Sequence, residues 1–142
     1  VAHHDETGLV RAEFAEKEHG AFNRLGIQAK IIRSNKLADL SLLEYNCPQW
    51  AAVKVYPVKR LAPAVVSIRG YVDSSPRFNE ASWILKGSVD GYPVNTFSGE
   101  GIAGMSGSGV LLDGLTVGIQ FGGNRTTVDA VSIETIEAFL KE

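Results

Sequence analysis

Gly104-Met105-Ser106-Gly107-Ser108-Gly109 is the stretch on which the fold turns. Gly104 and Gly107 bracket Ser106, and Gly109 closes the hexamer. A nucleophilic serine needs such a setting. Its hydroxyl must project from a tight turn while backbone N–H groups converge on one point. Glycine permits the backbone angles and keeps Cβ atoms away from the oxyanion position. An ordinary Gly/Ser turn between two strands fits the same six residues, and the hexamer alone does not separate the two.

Outward from this turn, the chain reads as strands. It has fifteen glycines in 142 residues, above the usual ~7%, and most fall between Gly70 and Gly123. They punctuate short runs rich in Val, Ile and aromatics, the residues that suit a pleated, half-buried surface. Strands are expected over 8–14, 28–33, 40–45, 64–73, 80–88, 110–112, 116–121 and 127–131. The polar segment 15–24 reads as an exposed hairpin or loop. One helix is expected at the C-terminus. Ser132 can cap it, Glu134 sits in its first turn, and Ile133, Ile136 and Leu140 recur at helical spacing beside Phe139.

Composition excludes several classes. Apolar residues are 44%, charged residues 21%, and the formal net charge is −2. Disorder does not fit these values, and neither does nucleic-acid binding driven by positive charge. No apolar run approaches the ~18 residues of a membrane-spanning helix. Cys47, the single cysteine, can form no internal disulfide and no cysteine-based zinc site, which points to a reducing compartment or a fold without staples. Neither a metal nor a cofactor is expected. The prolines Pro48, Pro57 and Pro63 favour an extended connector, so the chain divides into 1–58 and 59–142. Cys47, Trp50 and Trp83 read as structural.

Two more features carry chemistry. Asp39 opens the apolar run Leu40-Ser41-Leu42-Leu43, which would place its carboxylate at a strand edge near the core, where an imidazole N–H could pair with it. An exposed acid after Asn35 and Lys36 fits as well. Val1-Ala2-His3-His4 offers a histidine preceded by a small residue, a candidate general base, although taken alone a surface pair is the simpler reading.

The three features occur in the order His, Asp, Ser. In order and context they resemble the chymotrypsin-like (trypsin-like) serine proteases. Ala2-His3 matches the family's segment for the base, Asp39-Leu40-Ser41-Leu42-Leu43 the strand headed by the acid, and Gly104-Met105-Ser106-Gly107 the nucleophile motif. Val117-Gly118-Ile119-Gln120-Phe121-Gly122-Gly123 resembles the strand that walls the S1 pocket. The likeness spans nearly the whole chain. It is greatest to the compact proteases of positive-strand RNA viruses, of sobemovirus or astrovirus type.

The resemblance implies an all-β double barrel with a C-terminal helix. Residues 1–58 would form an N-terminal barrel half carrying His and Asp, and 59–142 the second half with the nucleophile. The family places about two strands before the catalytic histidine, so the N-terminal barrel is expected to be truncated here. The implied catalytic residues are His3, Asp39 and Ser106, with His4 as the alternative base. Gly104, Met105 and Ser106 would form the oxyanion turn. Glu100, Gly101, Gln120, Phe121, Gly122 and Gly123 would line S1. Gln120 stands where many viral relatives carry a histidine that reads Glu or Gln, and Ser108-Gly109 replaces the Gly-Pro of many cellular members.

The implied activity is a serine endopeptidase whose substrate is a polypeptide, the chain's own viral polyprotein, acting in host cytoplasm. The alternatives are a protease-fold binding module that no longer cleaves, and a cellular, intracellular trypsin-like peptidase. No nucleic acid and no membrane segment are called for, and the sequence assigns no oligomeric state.

Overall fold

A computed structural model describes residues 9–18, 21–44, 64–72 and 75–142. Three strands come first: β1 (Leu9–Glu18), β2 (Ala21–Asn35) and β3 (Leu40–Glu44). They pair antiparallel in the order β1-β2-β3. The segment expected as a hairpin or loop over 15–24 is the paired end of β1 and β2, with Glu18 opposite Ala21. The expected division at 58/59, Cys47 and Trp50 lie outside the described residues.

The second part is a closed antiparallel barrel in the order β4-β5-β6-β9-β8-β7. Its strands are β4 (Val65–Val72), β5 (Ser75–Val89), β6 (Tyr92–Ser98), β7 (Gly109–Leu112), β8 (Leu115–Gly123) and β9 (Thr127–Ser132). Closure leaves no edge strand to pair with another chain. β6 was not expected from the sequence, and β5 is longer than expected. Two Asp-Gly pairs make the tight turns. Asp90 and Gly91 join β5 to β6, and Asp113 and Gly114 join β7 to β8, all with positive φ. Such turns match the twist of the strands they connect.

Alternation sorts the side chains. Val66, Ile68, Ala81, Trp83, Phe97, Met105, Val110, Val117, Val128 and Ala130 form the barrel core. Trp83 and Phe97 stack at 5.7 Å between ring centroids. A second cluster lies outside the barrel. It joins Ala38 and Leu40 of the N-terminal sheet to Val131, Ile136 and Phe139, with Leu42, Tyr92, Ile119 and Phe121 packed against it. Arg33 lies over the Phe139 ring at 4.4 Å and reaches Glu142 at 3.4 Å. The apolar residues of β3 thus dock the sheet onto the barrel and its helix.

That helix, α1, spans Ile133–Leu140 with Ser132 as its N-cap, accepting from Thr135 N–H. Its buried stripe differs from the expected one in one residue. Leu140 is exposed, and Thr135 is buried in its place, donating its hydroxyl to the Pro93 carbonyl at 2.8 Å. Leu140 shares the face of Ile133 but is the last residue of the helix, at its open end. Among the described residues, no helix is long and apolar enough to cross a membrane, and no cluster of His, Cys, Asp or Glu could hold a metal ion.

Candidate active site

The connection between β6 and β7 carries Ser106. Gly104 and Gly107 both have φ of 90°, a conformation that side chains resist and that the two glycines supply. Between them Met105 is driven into the barrel core and is 1% exposed. Burying that thioether anchors the turn from below. Met105 N–H donates to the Ile102 carbonyl at 3.2 Å, and Ser108 N–H donates to the Met105 carbonyl at 3.0 Å.

β8 clamps the turn from the side. Gly107 N–H donates to the Gln120 carbonyl at 2.7 Å, and Gln120 N–H donates to the Ser108 carbonyl at 2.9 Å. The Ser106 hydroxyl, half-buried, donates to the Phe121 carbonyl at 3.3 Å. Among the described residues no backbone carbonyl takes the Gly104 N–H.

Asp39 occupies the β2–β3 turn with φ of 57°. It is exposed, while its neighbours Ala38 and Leu40 are buried. The sequence left two readings, an exposed acid and one with its carboxylate near the core. The positive φ turns the side chain outward, and Asp is among the residues that tolerate that conformation. Asn35 organises the turn. Its Oδ1 accepts from Leu37 N–H and Ala38 N–H, each at 3.1 Å, and its Nδ2 donates to the Tyr92 hydroxyl of β6 at 3.1 Å. This fixes the Asp39 turn to the barrel. His3 and His4 lie outside the described residues.

The expected S1 residues divide into two groups. Gln120 is 3% exposed. It registers with Ala130, which registers with Asn95, so Asn95, Ala130 and Gln120 form one row across β6, β9 and β8. Ala130 belongs to the barrel core, so the row faces inward, and it carries two buried carboxamides on either side of a methyl group. Phe121 and Gly122 are half-buried and Gly123 is exposed at the end of β8.

Gly101 and Gly123 face each other closely. A Cβ on Gly123 would lie 3.1 Å from the Gly101 Cα and 2.4 Å from the Thr127 carbonyl oxygen. Gly99 N–H donates to the Thr126 carbonyl at 3.0 Å and Gly101 N–H to the Asn124 carbonyl at 2.7 Å. Glu100, between them, is exposed, and its carbonyl accepts from Asn79 Nδ2 at 2.8 Å. The sequence reading missed the parts played by Asn35, Asn79 and Asn124. Asn124 Oδ1 accepts from Thr126 N–H and Thr127 N–H, both at 2.9 Å, and its placement in Asn-x-Thr-Thr was the available signal.

No family model and no curated protein sequence matches the chain. Solved structures do. The fold is that of the chymotrypsin-like proteases. One neighbour is the inactive form of the Rv3671c protease, with a TM-score of 0.69, 16% identity, and coverage of 82% of this chain and 66% of that one. Its active form from M. tuberculosis gives a TM-score of 0.67, 18% identity, and coverage of 82% and 59%. The apo MamO protease domain from Magnetospirillum magneticum gives 0.61, 13% identity, and coverage of 93% and 76%. The chain therefore spans less than two thirds of the active Rv3671c structure's length. Both neighbours come from bacteria, and the expected nearness to viral proteases finds no support in them.

Proposed function

We propose that the chain is a serine endopeptidase domain in which Ser106 is the nucleophile. The observation that carries this reading is the Ser106 turn itself. Two glycines at φ of 90° and a buried Met105 hold a half-buried hydroxyl on a fold whose solved neighbours are proteases.

In this reading Ser106 Oγ attacks the scissile carbonyl carbon of a bound polypeptide, and His3 takes the hydroxyl proton. The carbonyl oxygen becomes an oxyanion held by Gly104 N–H and Ser106 N–H. The carbon–nitrogen bond then breaks, and His3 returns the proton to the departing amine. Water repeats the sequence on the acyl-enzyme, regenerating Ser106 and releasing the acid. Asp39 orients the imidazole and stabilises its charged form. Asp39 is exposed on a turn fastened to β6, which leaves its carboxylate open to an imidazole.

Gly101, Gln120, Phe121, Gly122 and Gly123 line the pocket for the side chain before the cleaved bond. Glu100 contributes backbone rather than charge. Polyprotein processing and a cellular peptidase share this chemistry, and the bacterial neighbours favour the cellular peptidase. The test is turnover of a peptide library. Hydrolysis by the wild type that Ser106→Ala abolishes supports the reading. Hydrolysis unchanged by Ser106→Ala would refute it.

A further inference from the structure

Gly70 lies on β4, one step beyond the last β4–β7 pair, Arg69 with Gly109. At this point the strand passes beneath the Ser106 turn. A Cβ on residue 70 would lie 2.1 Å from Ser108 Oγ, 3.2 Å from Ser108 Cβ and 3.1 Å from Met105 Sδ. Real Cβ atoms essentially never come within 3.0 Å of another atom, so the Ser108 hydroxyl would have to move. Gly70 has no positive φ, so its absence of a side chain is a matter of space. The space is filled by Ser108 and by the end of Met105.

Ser108 grips Met105 from that notch in two ways. Its N–H donates to the Met105 carbonyl at 3.0 Å, and its hydroxyl points to Met105 Sδ at 3.9 Å, a long, weak contact. Met105 is the residue between the two N–H groups assigned to the oxyanion. Its carbonyl shares a peptide plane with Ser106 N–H, so the Ser108 N–H bond to that carbonyl sets where Ser106 N–H points, and an oxyanion hole depends on donors fixed before the charge develops.

From this geometry we infer that Ser108, seated in the notch left by Gly70, is a positioning residue for the oxyanion turn. It touches no substrate and acts through Met105. The inference rests on the protease reading of the site. It gives Ser108-Gly109, which departs from the Gly-Pro of many cellular relatives, a role of its own.

The test is a double-mutant cycle on the full chain with Gly70→Ala, Ser108→Ala and the pair. Peptide turnover, inhibition by a peptide aldehyde and amide hydrogen exchange are read on each. Gly70→Ala drives the Ser108 hydroxyl out of the notch. It should lower kcat by at least ~10-fold, with KM within about twofold, and weaken the aldehyde, an oxyanion mimic, by the same factor. Ser108→Ala should cost about 3- to 10-fold in the same two quantities. Once the hydroxyl is gone, Gly70→Ala still meets Ser108 Cβ and Met105 Sδ but has lost its severe clash, so the pair should lose clearly less than the product of the two single losses.

Hydrogen exchange keeps the inference separate from the activity. Exchange at Gly107 N–H and Ser108 N–H should quicken in both single variants, with exchange in the barrel strands unchanged. Losses that multiply, or a Ser108→Ala variant with wild-type aldehyde affinity and wild-type exchange at the turn, would overturn it. If exchange follows the expected pattern while the wild type cleaves nothing, the protease reading fails and the bracing of the turn by Ser108 stands.

Discussion

The hydroxyl of Ser106 donates to the carbonyl oxygen of Phe121 across 3.3 Å, and the Phe121 side chain packs against the cluster that holds Ala38 and Leu40. These two residues flank Asp39. One residue of β8 therefore links the turn bearing the serine to the turn bearing the acid. The carbonyl also marks the resting position of the hydroxyl. In the proposed mechanism, attack on a substrate requires Ser106 to turn from Phe121 toward the base.

Phe121→Ala tests that link. Half-buried truncations of this size should cost about 2 kcal/mol of stability, below the ~3–5 kcal/mol of a fully buried phenylalanine. Denaturant unfolding measures the loss. Activity should fall further than stability accounts for, because the Asp39 turn loses a packing partner.

The Asp39 turn should be sensitive to Asn35. Asn35→Ala removes one acceptor shared by Leu37 N–H and Ala38 N–H, and the tie to the Tyr92 hydroxyl. The expected cost is about 1–2 kcal/mol by urea unfolding, since each such bond contributes about 1 kcal/mol net. A drop in kcat at unchanged KM is expected beside it, because the acid's carrier moves and the pocket does not.

Gly104→Ala places a side chain at φ of 90°, where the cost is conformational, for the nearest atoms to its Cβ are ordinary contacts to Val72 at 3.7 Å and beyond. Destabilisation of about 1–3 kcal/mol is expected from the backbone alone. Alanine keeps the backbone N–H, but relaxation away from this φ turns that donor off the oxyanion position and should lower kcat by up to ~10²–10³. Steady-state kinetics well below the midpoint of unfolding, where the variant is folded, separate the two.

Specificity should follow Gln120 and disregard Glu100. Glu100 is exposed and Gln120 is buried in line with Asn95. Glu100→Gln should leave the ranking of a peptide library unchanged. Gln120→Leu should shift preference toward apolar side chains by at least ~10-fold, as a pocket that loses a hydrogen-bonding group no longer favours polar ligands.

Much of this was legible in the sequence because local chemistry and tertiary demand agree. Ile133, Ile136 and Phe139 recur at helical spacing and are buried in α1, and Ser132 caps it. Trp83 was expected to be structural and stacks in the barrel core. The Ser106 hexamer announced a tight turn because only glycine takes φ of 90° without strain.

Other features were hidden for physical reasons. β6 contains Pro93, Asn95 and Thr96, so its composition reads as a loop, although Asp90-Gly91 before it is a strong hairpin signal. Its polar residues are accommodated by pairing: Thr96 donates its hydroxyl to the carboxylate of Asp129 on β9 at 2.8 Å. The outward turn of Asp39 depends on a φ of 57° that no hydropathy pattern encodes. The notch at Gly70 depends on which strand passes beneath the Ser106 turn, a matter of barrel order rather than of local sequence.

The most direct test of the central claim is covalent labelling with a fluorophosphonate, with the modified residue mapped by mass spectrometry. The account predicts labelling of the wild type at Ser106, none in Ser106→Ala, and a rate in His3→Ala lower by at least ~10³, the scale on which triad members act. A folded wild-type protein that stays unlabelled, or labelling that survives Ser106→Ala, would contradict it.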